Sequence, residues 1–367
     1  MVALLYAQFT HALSLNDVCD ALKNHAAKLL RIRQATAPSK NAFSHANRER
    51  DGNMAQTLFW EIQDHFMATN SGFGGQKFKG MPRRFKRAVY AVDSSTIHLA
   101  VNCIDWARHR RRKAAAKLHL RLNLNCFLPS FAIVDTAAHN DSKRARELCA
   151  GLEAGEIAVF DKAYVDFAHL HDLNEREVFW VTRAKENMQY RVKKRLIKKA
   201  EGNILRDELI MLTGEVSLGK YPKLLRLVHA TVEVDGKQRE MQFLTNNLEW
   251  APSSIADLYK CRWQIEVFFK EIKQTLQLCD FLGHNKNAVL WQVWTALILY
   301  VLVRYLAFLN KWKHGFKRFF CLLRSSVWDS VLITSLASLC GTAGASPPMH
   351  AAPHQAYFAG FEPPKLR

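Results

Sequence analysis

The chain has 367 residues, 49% apolar and 23% charged, which suits a globular protein with a sizeable core and excludes disorder as its main state. Its 52 Lys and Arg stand against 33 Asp and Glu, a formal net charge of +19. An excess of that size calls for a polyanionic partner, either a nucleic acid or an anionic membrane surface.

The length suggests roughly two to three folding units. Residues 1–70 read as short helices. Ser14-Leu15-Asn16-Asp17 supplies a start before Val18 and Leu22, and Ser39-Lys40-Asn41 supplies another ahead of Ala42–Asn47. Their Asn/Ser/Arg-rich character suits a helix-turn-helix-like DNA reader. Met1–Gln8 lacks the basic leader of a signal peptide. Gly72 to Pro82 reads as a basic, glycine-rich linker.

From Ala88 the period changes. Ala88–Val92 is a continuous apolar run ending at Asp93-Ser94-Ser95, the pattern of a buried strand with polar residues at its tip. Leu118, Leu120, Leu122 and Leu124 alternate with His119, Arg121, Asn123 and Asn125, which predicts a half-buried strand. Phe127-Leu128-Pro129 turns the chain into a strand at Phe131–Val134, and Ser142 caps a helix through Leu152. Ile157–Phe160 is a further buried strand ending at Asp161, and Val178–Thr182 another.

Residues 186–245 read as a separate β-rich insertion. It carries the basic run Arg191-Val192-Lys193-Lys194-Arg195 and a hairpin of Leu225–Val234 and Gln238–Leu244 about Asp235-Gly236-Lys237. After Pro252 a long helix runs to about Leu278. Ala288–Leu309 is almost wholly apolar, but Gln292 and Arg304 interrupt it and favour a buried core helix over a membrane span. The residues from Gly341 onward are Ala/Pro/Gly-rich and expected to be disordered. Eight cysteines are scattered without a C-x-x-C pair and read as reduced core residues of a cytosolic protein.

Three carboxylates stand out. Asp93 and Asp161 each end an apolar run, and Glu266 lies in the late helix. On that helix Tyr259, Arg262, Glu266, Lys270 and Lys273 fall at i, i+3, i+7, i+11 and i+14 and share one face. Trp263, Val267, Phe268 and Ile272 form the packed remainder. Three acids beside cations suit metal-assisted phosphoryl transfer, in which two Mg²⁺ ions about 3.5–4 Å apart serve the attacking and leaving oxygens. Taken singly, each acid is equally well a turn residue or part of a solvated helix face.

The spacing Tyr259-x2-Arg262-x3-Glu266-x6-Lys273 resembles the Y-x2-R-x3-E-x6-K signature of the insertion-sequence 4 family of DDE transposases. Val92-Asp93-Ser94-Ser95-Thr96, Lys117-Leu118-His119, Asp161-Lys162-Ala163-Tyr164 and Phe243-Leu244-Thr245-Asn246-Asn247 are similar to that family's other motifs and occur in its order. The resemblance implies an α/β fold: a ribonuclease-H-like catalytic core (85–185 and 246–310) with the β-rich insertion (186–245). An N-terminal helical DNA-binding region (1–80) precedes the core, and C-terminal helices with a tail (311–367) follow it. It implies Asp93, Asp161 and Glu266 as a catalytic and metal-binding triad for two Mg²⁺, with Mn²⁺ as a substitute. Tyr259, Arg262, Lys270 and Lys273 are implied as contacts to DNA phosphates, and Met241 as the position of the wedge against a flipped base. Trp180 and Phe243 are the alternatives for that wedge. The departures are a shorter amino-terminal region than is usual in the family, Lys162-Ala163 where relatives carry Arg-Gly, and Asn123 where an Asp is common.

The runs His109–Lys113 and 191–199 are further candidates for phosphate contact. His98 and His119 could line the site, and no Walker-type loop points to ATP. The expected protein is a cytoplasmic, nucleoid-associated enzyme that cuts transposon ends and joins them to target DNA. It works as a homodimer on double-stranded DNA, with no membrane and no ATP. A two-metal nuclease that does not join strands and an inactive DNA-binding remnant are the other readings.

Overall fold

Two of the first helices start where a serine side chain satisfies an orphan backbone N–H. The computed structural model describes all residues except 33, 76–84, 100–102, 111–112, 137–140, 235, 279–280 and 340–367. Six helices come first: α1 (Val2–Thr10), α2 (Leu15–Asn24), α3 (Ala26–Leu30), α4 (Lys40–Glu49), α5 (Asn53–Thr69) and α6 (Ser71–Gly74). Ser14 caps α2 by accepting from the Asp17 N–H, and Ser39 caps α4 by accepting from the Ala42 N–H, both at 3.2 Å. These helices do not form a separate bundle. Val18, Leu22, Phe43 and Phe59 belong to the same core cluster as the central strands, and Phe59 packs on Trp294 at 5.5 Å between ring centroids. The linker expected at Gly72–Pro82 lies mostly outside the described residues.

The central elements follow as β1 (Val89–Leu99), α7 (Ile104–Ala107), β2 (Arg108–Arg110), β3 (Lys113–Asn123), β4 (Leu128–Thr136), α8 (Asp141–Cys149), β5 (Ile157–Phe160), α9 (Phe167–Glu175) and β6 (Phe179–Arg183). β3 is antiparallel to both β1 and β4, whereas β5 runs parallel to β1 and to β6. The spatial order β4-β3-β1-β5-β6, with only β3 reversed, is the ribonuclease-H-like arrangement, and the protein is α/β as expected. The next four strands, β7 (Tyr190–Arg195), β8 (Ile204–Leu212), β9 (Leu225–Val234) and β10 (Lys237–Thr245), have α10 (Glu215–Lys220) between β8 and β9. They do not stand apart: β10 pairs with β6, so they continue the same sheet outward as β10-β9-β8-β7.

The described residues close with α11 (Pro252–Cys261), α12 (Trp263–Lys270), one π-helical turn (Glu271–Thr275), α13 (Lys286–Leu309), α14 (Phe316–Ser325) and α15 (Ile333–Leu339). Period-2 alternation divides the strands between two cores. Val89 and Ala91 of β1, Leu118 and Leu120 of β3 and Val159 of β5 join the N-terminal helices and α11–α14. Val92, Ala158, Phe160 and Trp180 point the other way, against α8 and α9.

Several expectations need correction. β1 continues through the polar triplet to Leu99, because β3 pairs with it along that whole length after β5 has ended. β3 is buried on both faces rather than one: His119 is fully buried, and Arg121 is enclosed between Tyr90 and Phe131 while donating to Ser130 Oγ at 2.9 Å. The turn before β4 falls at 124–127, where Phe127 adopts φ 61°, so that Leu128 and Pro129 already belong to the strand. α8 begins at Asp141, one residue before Ser142, and ends at Cys149. The β9–β10 hairpin stands as expected, with Val234 paired to Lys237 and Gly236 at φ 72°. α13 is long and apolar enough to span a membrane, but 61% of its most apolar window is buried inside the protein. The tail from Gly341, Cys279 and Cys340 lie outside the described residues, and the six cysteines within them are free thiols.

Candidate active site

The parallel register places the two aspartates together. Val92 on β1 pairs with Phe160 on β5, so Asp93 and Asp161 are neighbours one residue further on. Alternation turns both toward the face covered by α11 and α12, since Val92 and Phe160 lie in the opposite core. Side chains at the carboxyl ends of parallel strands line a crevice that the sheet itself does not fill.

α11 and α12 bring the third acid. Pro252 occupies the first turn of α11, where no N–H is needed. The preceding segment, Thr245-Asn246-Asn247, ties this helix to the sheet. Thr245 Oγ1 donates to the Trp180 carbonyl, Asn246 Oδ1 accepts from the Trp180 N–H, and Asn247 Oδ1 accepts from the N–H groups of Glu249 and Trp250. Phe243 then packs its ring on Tyr259 at 4.9 Å. On α12 the buried residues are Ile265, Phe268 and Phe269, with Ile272 in the following turn. Val267, expected in the packed remainder, is 45% exposed.

The polar stripe meets the aspartates as follows. The Tyr259 hydroxyl donates to Asp161 Oδ1 at 3.3 Å. Arg262 donates through Nη1 to Asp93 Oδ2 at 3.0 Å and through Nη2 to Glu266 Oε1 at 2.7 Å, and its guanidinium lies over the Tyr259 ring. Lys273 Nζ reaches the Thr96 carbonyl on β1 at 2.5 Å. The π-helical turn from Glu271 to Thr275 precedes the end of this helix, and such turns widen a helix locally and recur at functional sites. Lys270 is exposed on the same stripe. Asp161-Lys162-Ala163-Tyr164 forms a short 3₁₀ turn that buries Tyr164.

Burial pushes the Asp93 carboxyl up to about 6. The Ser94 N–H and Arg262 oppose this, while the charges of Asp161 and Glu266 reinforce it. Burial likewise raises the Tyr259 hydroxyl to about 12 and lowers the Lys273 ammonium. The acids therefore sense one another. Their donor set, carboxylate oxygens alone, suits a hard divalent cation. The arrangement is less complete than the sequence suggested. Among the described residues no three His, Cys, Asp or Glu side chains stand close enough to hold an ion, and the Arg262 guanidinium bridges Asp93 and Glu266.

The remaining candidates divide. Met241 is half-buried on the acid face of β10, two residues from Phe243. Trp180 lies fully buried in the opposite core with its indole N–H on the Leu170 carbonyl, so it cannot meet DNA there. His98 and His119 share the face of Val92, away from the acids. The 191–195 run forms the exposed outer strand β7, and the run at 109–113 lies partly outside the described residues. One cation was missed. Val159 pairs with Val181, which sets Arg183 level with Asp161, and Arg183 in turn pairs with Phe243. Its position at the carboxyl end of the next parallel strand was the available signal.

Residues 84–302 match the family described as "Transposase DDE domain". The y4zB protein of Sinorhizobium fredii, which carries a transposase name, is 33% identical over 67% of this chain and 68% of its own length. A transposase for insertion sequence element IS5377 of Geobacillus stearothermophilus is 28% identical over 61% of this chain and 58% of its own. Transposase InsG for insertion sequence element IS4 of Escherichia coli is 27% identical over 52% and 43%. The chain thus spans about half the length of the latter two. It belongs to the DDE transposases of the insertion-sequence 4 type.

Proposed function

We propose that this chain cleaves the ends of a mobile DNA element and joins them to target DNA, with Asp93, Asp161 and Glu266 as its catalytic acids. The observation that carries the reading is the side-by-side placement of Asp93 and Asp161, with Glu266 tied to Asp93 through one guanidinium. The three carboxylates would hold divalent cations, Mg²⁺ in pairs with Mn²⁺ as a substitute. Such ions lower the pKa of an attacking water or hydroxyl and neutralise the leaving oxygen.

The chain's own residues supply position. Arg262, Lys270 and Lys273, together with Arg183, would supply the cations, and Tyr259 a neutral hydroxyl, that hold a phosphodiester in line at the acids. Arg262 suits phosphate because its planar fork engages two oxygens at once. Met241, on the acid face but further out, would support a base displaced from the DNA end. Two chains on two DNA ends would form the working complex, in the cytoplasm where the element resides.

The test uses the full chain with duplexes carrying the element's own terminal repeats. Mg²⁺-dependent cleavage that Asp93→Asn removes, together with joining of a pre-cut 3′-hydroxyl end to a plasmid, is the expected result. Cleavage without joining would reassign the chain as a nuclease, and neither activity would leave it a DNA-binding remnant.

A further inference from the structure

A single cation engages two of the three acids. Arg262 is almost fully buried, with its side chain 8% exposed, and it spends one nitrogen on Asp93 and another on Glu266. The Tyr259 ring beneath it gives its hydroxyl to the third acid, Asp161. Carboxylate oxygens that a divalent ion would need thus already accept hydrogen bonds from the protein. A guanidinium does not lose its proton in proteins, so its charge leaves this place only if the side chain moves.

The position also leaves one donor unmet. Arg262 Nε is buried and has no hydrogen-bond partner among the described residues. A buried donor without an acceptor favours any arrangement that supplies one. A phosphate brought to the groove supplies several oxygens in the geometry that the arginine fork prefers.

We propose that Arg262 is an internal counter-cation that keeps divalent metal out of the acid cluster until a DNA phosphate draws it off, so that metal loading follows DNA binding. This rests on the reading of Asp93, Asp161 and Glu266 as the cation-holding acids. Metal and the paired Arg262 compete for the same oxygens, whereas DNA and metal assist one another through it. By linkage the assistance is reciprocal. A chain loaded in this order does not carry an armed metal site while free of DNA.

The experiment titrates Mn²⁺ into the DNA-free full chain and follows the paramagnetic resonance signal of free Mn²⁺. Arg262→Gln is expected to bind at least about tenfold more tightly than the wild type, and a duplex of the terminal repeat to raise wild-type affinity by a similar factor. Asp93→Asn, alone or added to Arg262→Gln, removes this binding. Wild-type chain that binds Mn²⁺ without DNA as tightly as Arg262→Gln, in an Asp93-dependent way, overturns the latch and leaves the acid site standing. Absence of Asp93-dependent binding in every form overturns both. Should circular dichroism find Arg262→Gln unfolded, Arg262→Lys carries the test: a lysine keeps the charge but cannot bridge both acids. Its affinity is expected to rise about threefold, and an unchanged value rejects the proposal.

Discussion

Val92 and Phe160 are register partners on two parallel strands, and the residues that follow them are the two aspartates of the site. β5 ends at Phe160, so Asp161 leaves the sheet there, whereas β1 carries Asp93 onward in its pairing with β3. One acid thus stands on a strand braced on one side, the other on the first residue of a turn. Replacing Asp161 with Asn keeps size and hydrogen bonding while removing charge. End cleavage in Mg²⁺ is expected to fall at least about 10³-fold, as it does when one member of a concerted catalytic set is lost. Asp64→Asn, at an exposed position of α5 away from the site, should change cleavage by less than about twofold. Comparable losses in both variants would argue against a special role for Asp161.

Much of this was legible in the sequence, and the failures have physical causes. Apolar runs located β1, β5 and β6, and the spacing of Tyr259, Arg262 and Glu266 put them on one helical face. Alternation misjudged β3, since a strand covered by helices on both faces buries His119 and Arg121 as well as its leucines. Polarity suggested that β1 ended at Asp93, because a run of apolar residues does not reveal which neighbouring strand stops first. The bridge from Arg262 to Asp93 joins residues far apart in sequence and follows from tertiary packing alone. Arg183 was overlooked because its partner row across the sheet exists only after β6 and β10 have paired.

Glu271 gives the fold a pH dependence of its own. Burial pushes its carboxyl from the ordinary 4.5 up to about 7, against the pull of Arg304, and Oε2 is buried without a hydrogen bond. Between those values the folded chain holds a proton that the unfolded chain releases. Stability is therefore retained below about pH 4.5 and declines as pH rises through 7. Glu271→Gln removes the charge that is costly at high pH. It should stabilise the protein at pH 8 by on the order of 2–3 kcal/mol and by almost nothing near pH 4.5. Urea melts of both proteins at the two pH values measure this, and an equal difference at each would reject it.

Asp207 and Arg226 form a buried bidentate pair, at 2.8 and 2.7 Å, between β8 and β9, and the same guanidinium donates to the Trp250 carbonyl at 2.6 Å just ahead of α11. Both side chains are less than 5% exposed. Removing one partner strands the other charge in the interior. Asp207→Leu alone should destabilise the fold by about 3–5 kcal/mol. The double variant with Arg226→Met should recover most of that loss, because two apolar side chains leave no buried charge behind. Denaturant midpoints for the two singles and the double decide the matter, and losses that merely add would show the pair to be uncoupled.

Arg183 lies on β6 level with Asp161, and Lys270 is exposed one turn beyond Glu266 on α12. If both meet phosphates, each releases a counterion when DNA binds. The slope of log affinity against log salt should then shrink by about 0.9 for Arg183→Gln and by about 0.9 for Lys270→Gln. Lys270 is exposed on a helix and Arg183 stands on a strand, so the two contacts are expected to act independently and the double variant to lose close to the sum. Sequence preference for the terminal repeat should survive, since a phosphate contact lowers affinity for every sequence alike. Fluorescence anisotropy with a labelled terminal duplex and an unrelated duplex, over a range of salt, measures slope and preference together. A variant that lowers affinity with an unchanged slope would move its residue from phosphate contact to support of the fold.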